Sequence, residues 1–222
     1  MRAFAARNFG EAPAVQNLPI PGADGEFLIR VKFAGVNPID YKLLDKLTAT
    51  SKYPFVMGID FAGVLERVPT GERDLHSGDR IFGMARTHGA YAEYTAVAPR
   101  VKTEPLARIP DGVTDEQAAA LPIPGITALG SLNLLGVAAG QRLVVMGATG
   151  GVGGYAVQIA RSRGAHVIAT VRSDADEGCR LGAEEVHDTK ALNVFPAARF
   201  SPGRRRRSPR SRERTGRNPP RR

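Results

Sequence analysis

Residues 143–154 read LVVMGATGGVGG. A run of β-formers stops in a turn crowded with glycine, and residues 150–164, GGVGGYAVQIARSRG, continue with helical periodicity. HVIATV (166–171) is a second strand, a short helix is expected near 174–181, and EEVHD (184–188) is a brief third strand. This βαβαβ order predicts a parallel, doubly wound sheet. Val152, Ala156, Ile159 and Ala160 make one apolar stripe on the long helix. Arg161 and Arg163 suit the dipole of its last turn, and Gly164 can close it.

The turn spells Gly147-x-x-Gly150-x-x-Gly153. In the G-x-G-x-x-G phrasing Ala148 holds the first place, Gly150 the second and Gly153 the third. The second glycine lets a pyrophosphate approach the backbone, and the third lets the helix pack closely. Unpaired N–H groups at the helix start, assisted by the dipole, then face the phosphates. Gly147, Ala148, Thr149, Gly150, Gly151, Val152 and Gly153 are therefore the candidate cofactor loop. The same spacing also serves a tight turn with no ligand, but strands stand at the right distance on both sides. The second strand ends in ATVRS (169–173). An acid there would hold a ribose 2′-hydroxyl, whereas Arg172 and Ser173 suit a 2′-phosphate, which favours NADP(H).

Upstream, residues 1–100 read as β. In FLIRVKFAGV, Ile29, Val31 and Phe33 alternate with Arg30 and Lys32, as in a half-buried strand. Residues 58–68, 79–84 and 89–98 are further strands, and the set predicts a small barrel or sandwich. Near residue 114 the character turns helical. Thr114 and Gln117 have capping-box spacing, and Pro124 suits a helix start.

The net charge of +9 invites a nucleic-acid interpretation. Residues 196–222, however, hold 11 of the 31 basic and 1 of the 22 acidic residues, a net +10. The remainder is then −1, so the body is neutral and the basicity belongs to a Pro/Arg-rich tail expected to be disordered. Clustered arginines can bind phosphates, so the alternative functions are a nucleic-acid or acidic-partner role for that tail and a non-catalytic NADP-binding fragment. One cysteine, Cys179, excludes a disulfide framework and a thiolate metal cluster. His76, His88, His166 and His187 have no ligand spacing, although His88 could line a substrate mouth. No signal peptide or apolar run of about 20 residues is present, so a cytoplasmic location and no membrane contact are expected.

The blocks FAGVNPIDYKLL, GIDFAGVLERV, SGDRIFGM, GAYAEYTAVAP and AAALPIPGITAL precede the glycine turn in a characteristic order. Together they resemble the zinc-independent quinone oxidoreductase branch of the medium-chain dehydrogenase/reductases, over residues 1 to about 195. The resemblance implies a GroES-like catalytic domain (1–118) and a partial Rossmann NADP-binding domain (119–195), and it stops short of the tail (196–222). It implies NADPH-dependent reduction of a small quinone or enone by direct hydride transfer. The positions of two zinc ligands in metal-dependent cousins are Asn37 and Ile59 here, so no catalytic metal is expected. Asn37 is the candidate oxyanion donor, Asp40 the residue that fixes its loop, and Thr127 the contact to the nicotinamide carboxamide. Lys42 stands where some relatives have tyrosine, with Tyr41 one place earlier, so water is the alternative proton source. Relatives run on for roughly another 100 residues, enough to complete a six-stranded sheet. A truncated or frameshifted homologue of impaired activity is expected, with RLVVM left as an exposed edge. A family-like homodimer is open in principle but disfavoured by the same truncation.

Overall fold

The computed structural model describes residues 1–86, 89–99, 105–172 and 175–189. The expectations for the 196–222 tail, for His88 and for Ser173 lie outside these residues. The first half contains β1 (Arg2–Ala6), β2 (Ala14–Asn17), β3 (Phe27–Ala34), α1 (Pro38–Lys42), β4 (Phe55–Val56), β5 (Asp60–Arg67), β6 (Arg80–Met84), β7 (Tyr94–Val97) and β8 (Leu106–Arg108). The second half contains α2 (Asp115–Ala119), α3 (Pro122–Leu134), β9 (Arg142–Met146), α4 (Gly151–Ser162), β10 (His166–Val171), α5 (Ala175–Arg180) and β11 (Glu185–Asp188).

The first half is antiparallel throughout, with one sheet ordered β7-β3-β5-β6-β8 and a smaller one ordered β2-β1-β4. Phe27, Ile29, Phe61, Leu65, Ile81 and Val97 form its core. Alternation along β3 holds for Phe27 and Ile29 but fails at Phe33, which is 40% exposed. The pairing of β3 with β5 shifts register between Val31 and Phe33, and such an irregularity re-aims the side chains beyond it.

Two helices carry the chain to the second half. Thr114 caps α2: its Oγ1 accepts from Gln117 N at 3.2 Å, and Gln117 Oε1 accepts from Thr114 N at 3.0 Å. Pro122, rather than Pro124, opens α3. Pro124 still fits, because the first turn of a helix has no intrahelical use for its N–H groups.

The second half is a parallel sheet ordered β11-β10-β9. Val145, Val167, Ala169 and Val171 pack against Val157 and Ala160 of α4 and Leu132 of α3. The expected α4 stripe is therefore shifted. Val157 and Ala160 are its buried centre, Ala156 and Ile159 are partly buried, and Val152 is 40% exposed at the helix start. Val152 lies in the first turn, beside the glycine loop and beyond the reach of the sheet. The helix closes at Gly164 as expected, with φ 77°. Arg142, Val144, Met146, His166, Ile168, Glu185 and His187 share the opposite face by register. Thr170 lies on that face too but is buried, its Oγ1 accepting from Gly147 N at 3.3 Å. Among the described residues β9 pairs only with β10.

Candidate functional site

The glycine turn leaves β9 with Gly147 at φ 67° and enters α4 through Gly150 as N-cap. Its own bonds are few: Gly150 N donates to Gly147 O at 2.9 Å, and Ala148 N to Thr170 O at 3.0 Å. The helical ladder begins at Gly154 N, which donates to Gly150 O at 2.8 Å. The N–H groups of Gly151, Val152 and Gly153 precede it and have no acceptor among the described residues. Thr149, Gly150, Gly151 and Val152 are exposed, whereas Ala148 is buried beneath them. A Cβ on Gly153 would overlap the Gly147 carbonyl oxygen, so only glycine lets the turn close onto the helix. The amides left without an acceptor at the helix start make a cradle for an anion.

Arg172 follows the last residue of β10 and is exposed, with no ion-pair partner among the described residues. It stands at the carboxyl edge of the parallel sheet, the edge at which the glycine turn also leaves β9. Thr127 lies in α3 and is exposed. Its Oγ1 donates to Ile123 O at 2.6 Å, which leaves its lone pairs to accept from outside.

Asn37 sits at the N-terminus of α1, between strand β3 and the helix. Its backbone N donates to Asp40 Oδ2 at 2.7 Å, and Asp40 is itself buried. The Asn37 side chain is half-buried, and its Nδ2 donates to Asp60 Oδ2 at 2.9 Å. The same Asp60 oxygen accepts from Ile123 N, in the first turn of α3, at 2.9 Å. Asp60 is wholly buried, and burial pushes its carboxyl up to about 6 against the opposing pull of these two hydrogen bonds. The nearby Asp40 charge pushes in the same direction as burial.

Tyr91 donates through its phenol to Asp40 Oδ2 at 2.8 Å. Burial, reinforced by Asp40, raises its pKa well above the ordinary tyrosine value, so it remains a protonated donor at neutral pH. Its ring lies where a Cβ on Gly58 would be, and Gly58 has φ 82°. Glycine is required there on both counts.

These contacts draw the candidate residues together through the two helix starts. Asn37 is tied to Asp60, Asp60 to the first turn of α3, and α3 carries Thr127. A methyl on Gly151 would sit 3.7 Å from Pro124 Cβ, so the cradle at α4 adjoins that same turn of α3. Tyr155 of α4 reaches Ala120 O at 3.4 Å. Asp60, Tyr91 and Tyr155 were not singled out from the sequence. The available signal for Asp60 was a lone acid opening the apolar strand DFAGVL, where an unpaired charge is costly. A separate apolar pocket of about 380 Å³, lined by Phe82, Leu106, Ile126, Leu129, Tyr155 and Ile159 among others, contains neither Asn37 nor the glycine turn. Ile59 is buried and apolar, and no group of three or more His, Cys, Asp or Glu among the described residues could hold a metal ion.

Comparison with known proteins agrees with this architecture. Residues 23–111 match the alcohol dehydrogenase GroES-like domain. A quinone oxidoreductase of Sus scrofa is 34% identical over 190 residues, 84% of this chain and 56% of its own length. The solved quinone oxidoreductase of Coxiella burnetii superposes with a TM-score of 0.76 at 29% identity, covering 87% of this chain and 63% of that one. The quinone oxidoreductase of Thermus thermophilus, solved alone and in complex with NADPH, gives 0.71 at 29% identity over 86% and 61%. The chain thus spans under two thirds of the length of these relatives. Its antiparallel sheets are the GroES-like part and its three parallel strands part of a Rossmann sheet, and these likenesses support a place in the zinc-independent quinone oxidoreductase branch of the medium-chain dehydrogenase/reductases.

Proposed function

We propose that this chain is an NADPH-dependent oxidoreductase that reduces a small quinone or enone by direct hydride transfer without a metal. The observation that carries this is the glycine turn. The amides of Gly151, Val152 and Gly153 stand at a helix start with no acceptor among the described residues, in a turn that a Cβ on Gly153 would prevent from closing. In this proposal 1–118 is the catalytic part and 119–195 the nucleotide part.

When bound, NADPH would supply the hydride. The chain's own residues bind and orient. The amides of Gly151 to Gly153 hold the pyrophosphate, aided by the α4 dipole. Arg172 would pair with the 2′-phosphate in a charge-assisted hydrogen bond, and Ser173 follows it in the sequence with a hydroxyl of use to the same group. Thr127 accepts from the carboxamide, because its own proton is already given to Ile123 O. Asn37 spends one N–H on Asp60 and keeps the second for the oxyanion that develops on the substrate. Asp40 holds the Asn37 backbone, and Tyr91 holds Asp40. Tyr91 is a poor proton donor to substrate, since burial and Asp40 retain its proton, and water is the better source.

Activity of this polypeptide alone is expected to be low. Ligands of doubly wound sheets lie in the crevice where strand order reverses, and no described strand stands on the far side of β9. Titrating the purified chain with NADPH and NADH by fluorescence, with quinone turnover alongside, tests the proposal. Saturable NADPH binding with slow turnover is expected. Absence of NADPH binding, together with tight salt-sensitive RNA binding, would sink it in favour of a nucleic-acid role.

A further inference from the structure

The site contains one buried carboxylate whose purpose is not explained by cofactor or substrate contact. Asp60 touches neither the glycine cradle nor the exposed surface, and yet it joins the two halves of the site. Both of its hydrogen bonds, from Asn37 Nδ2 and from Ile123 N, are 2.9 Å long and end on the same oxygen. The other oxygen, Oδ1, is buried with no partner among the described residues. One atom therefore carries the whole connection. The donors come from residues 23 and 63 positions away in sequence, one in α1's cap and one in α3's first turn.

We propose that Asp60 is the positioning residue of this site: a single buried carboxylate oxygen locks the aim of the Asn37 side-chain amide to the seating of the helix that carries Thr127. The catalytic consequence rests on the oxidoreductase function proposed above, while the geometry does not. Without Asp60 the Asn37 amide would keep its place, because its backbone is held by Asp40, but it would lose its aim. Substrate contact and nicotinamide contact would then vary independently, and oriented donors are what a developing oxyanion needs.

The charged neighbours of Asp60 make the connection readable. Asp40, on α1, is a like charge. Tyr91 and the α4 residue Tyr155 face it as neutral phenols whose own ionisation its charge opposes. Asn37 and Ile123 contribute N–H dipoles only. Among the described residues no cation pairs with it. Its ionisation should be felt at both donors at once.

The test is a ¹⁵N–¹H spectrum of the full chain recorded from pH 5 to 8, with the Asn37 side-chain amide assigned by its loss in N37D. The Asn37 side-chain amide and the Ile123 backbone amide are expected to move together, with one midpoint near 6. Both movements should disappear in D60N. Independent titration, or movement that persists in D60N, overturns the proposal. A kinetic arm reads the consequence. D60L should lower kcat for quinone reduction by about 10-fold or more while KM for NADPH changes less than about 3-fold. D60N, which can place an amide oxygen where Oδ2 lies, should recover most of that loss. A kcat for D60L within about 3-fold of wild type refutes positioning. If D60L does not fold, the wild-type and D60N spectra decide. If wild type itself shows no turnover, the oxidoreductase proposal fails while the spectra still judge the hydrogen bonds.

Discussion

Asp60 is the residue at which burial most clearly opposes charge. Its pKa is raised to about 6 in the folded chain from an ordinary value of 3.8. Between these values the folded chain retains a proton that the unfolded chain has released. The stabilisation is thus fully present below the lower value and lost as pH rises through about 6. D60N has no such proton, so its stability should gain on wild type as pH rises from 4 to 7.5, by on the order of 1–3 kcal/mol. Paired thermal melts across that range check this, and a gap independent of pH would contradict it. Two other residues carry sharp expectations. G153A would force its methyl against the Gly147 carbonyl and should cost about 1–3 kcal/mol, with weaker NADPH binding. R172A should lower the preference for NADPH over NADH by about 10- to 100-fold, the worth of one charge-assisted hydrogen bond. Equal loss for both nucleotides would place Arg172 away from the 2′-phosphate.

Among the elements, α2 and α4 could be read from sequence with different success. The capping box of α2 is local, since all its groups lie within four residues, and Thr114 and Gln117 meet as their spacing predicts. T114A should therefore cost about 1 kcal/mol, seen in urea unfolding as a lower midpoint at unchanged slope. A lower slope instead would mean that α2 is lost as a unit. The start and end of α4 were equally legible, because a glycine N-cap and a closing Gly164 are local features. Its buried stripe was not. Val152 has the right periodicity but lies in the turn, where the sheet does not reach, and Val157 takes its place in the core. Phe33 on β3 shows the same limit: alternation places it inside, and a shift in strand register places it outside.

For the whole molecule, the distinctive feature is a parallel sheet whose described helices all pack on one face. Parallel sheets are ordinarily covered on both. Val144, Ile168 and Met146 lie by register on the other face, with Met146 69% exposed, and β9 offers an edge that pairs only with β10 among the described residues. Such surfaces associate. The double substitution V144K and M146K should reduce concentration-dependent association, measured by light scattering after gel filtration, with little change in melting temperature. Unchanged association would show that other surfaces are responsible. No described helix is long and apolar enough to cross a membrane.

Local sequence alone determined the βαβαβ order, the glycine cradle and the helix caps. Each depends on neighbours a few residues apart, where backbone geometry and hydrogen-bond spacing decide the outcome. The antiparallel half was legible as β, but its pairing was not, because strand order and register are set by contacts across the sheet. The core of the candidate site was legible only in part. Asn37, Asp40 and Thr127 could be named from the family resemblance, but the carboxylate tying Asn37 to the helix that carries Thr127 could not. Asp60 looks from sequence like any acid at a strand end. Only the tertiary structure removes it from water, brings Asn37 and Ile123 to one of its oxygens and leaves the other without a partner among the described residues. Desolvation is a property of everything packed around a group, and no short stretch of sequence contains it.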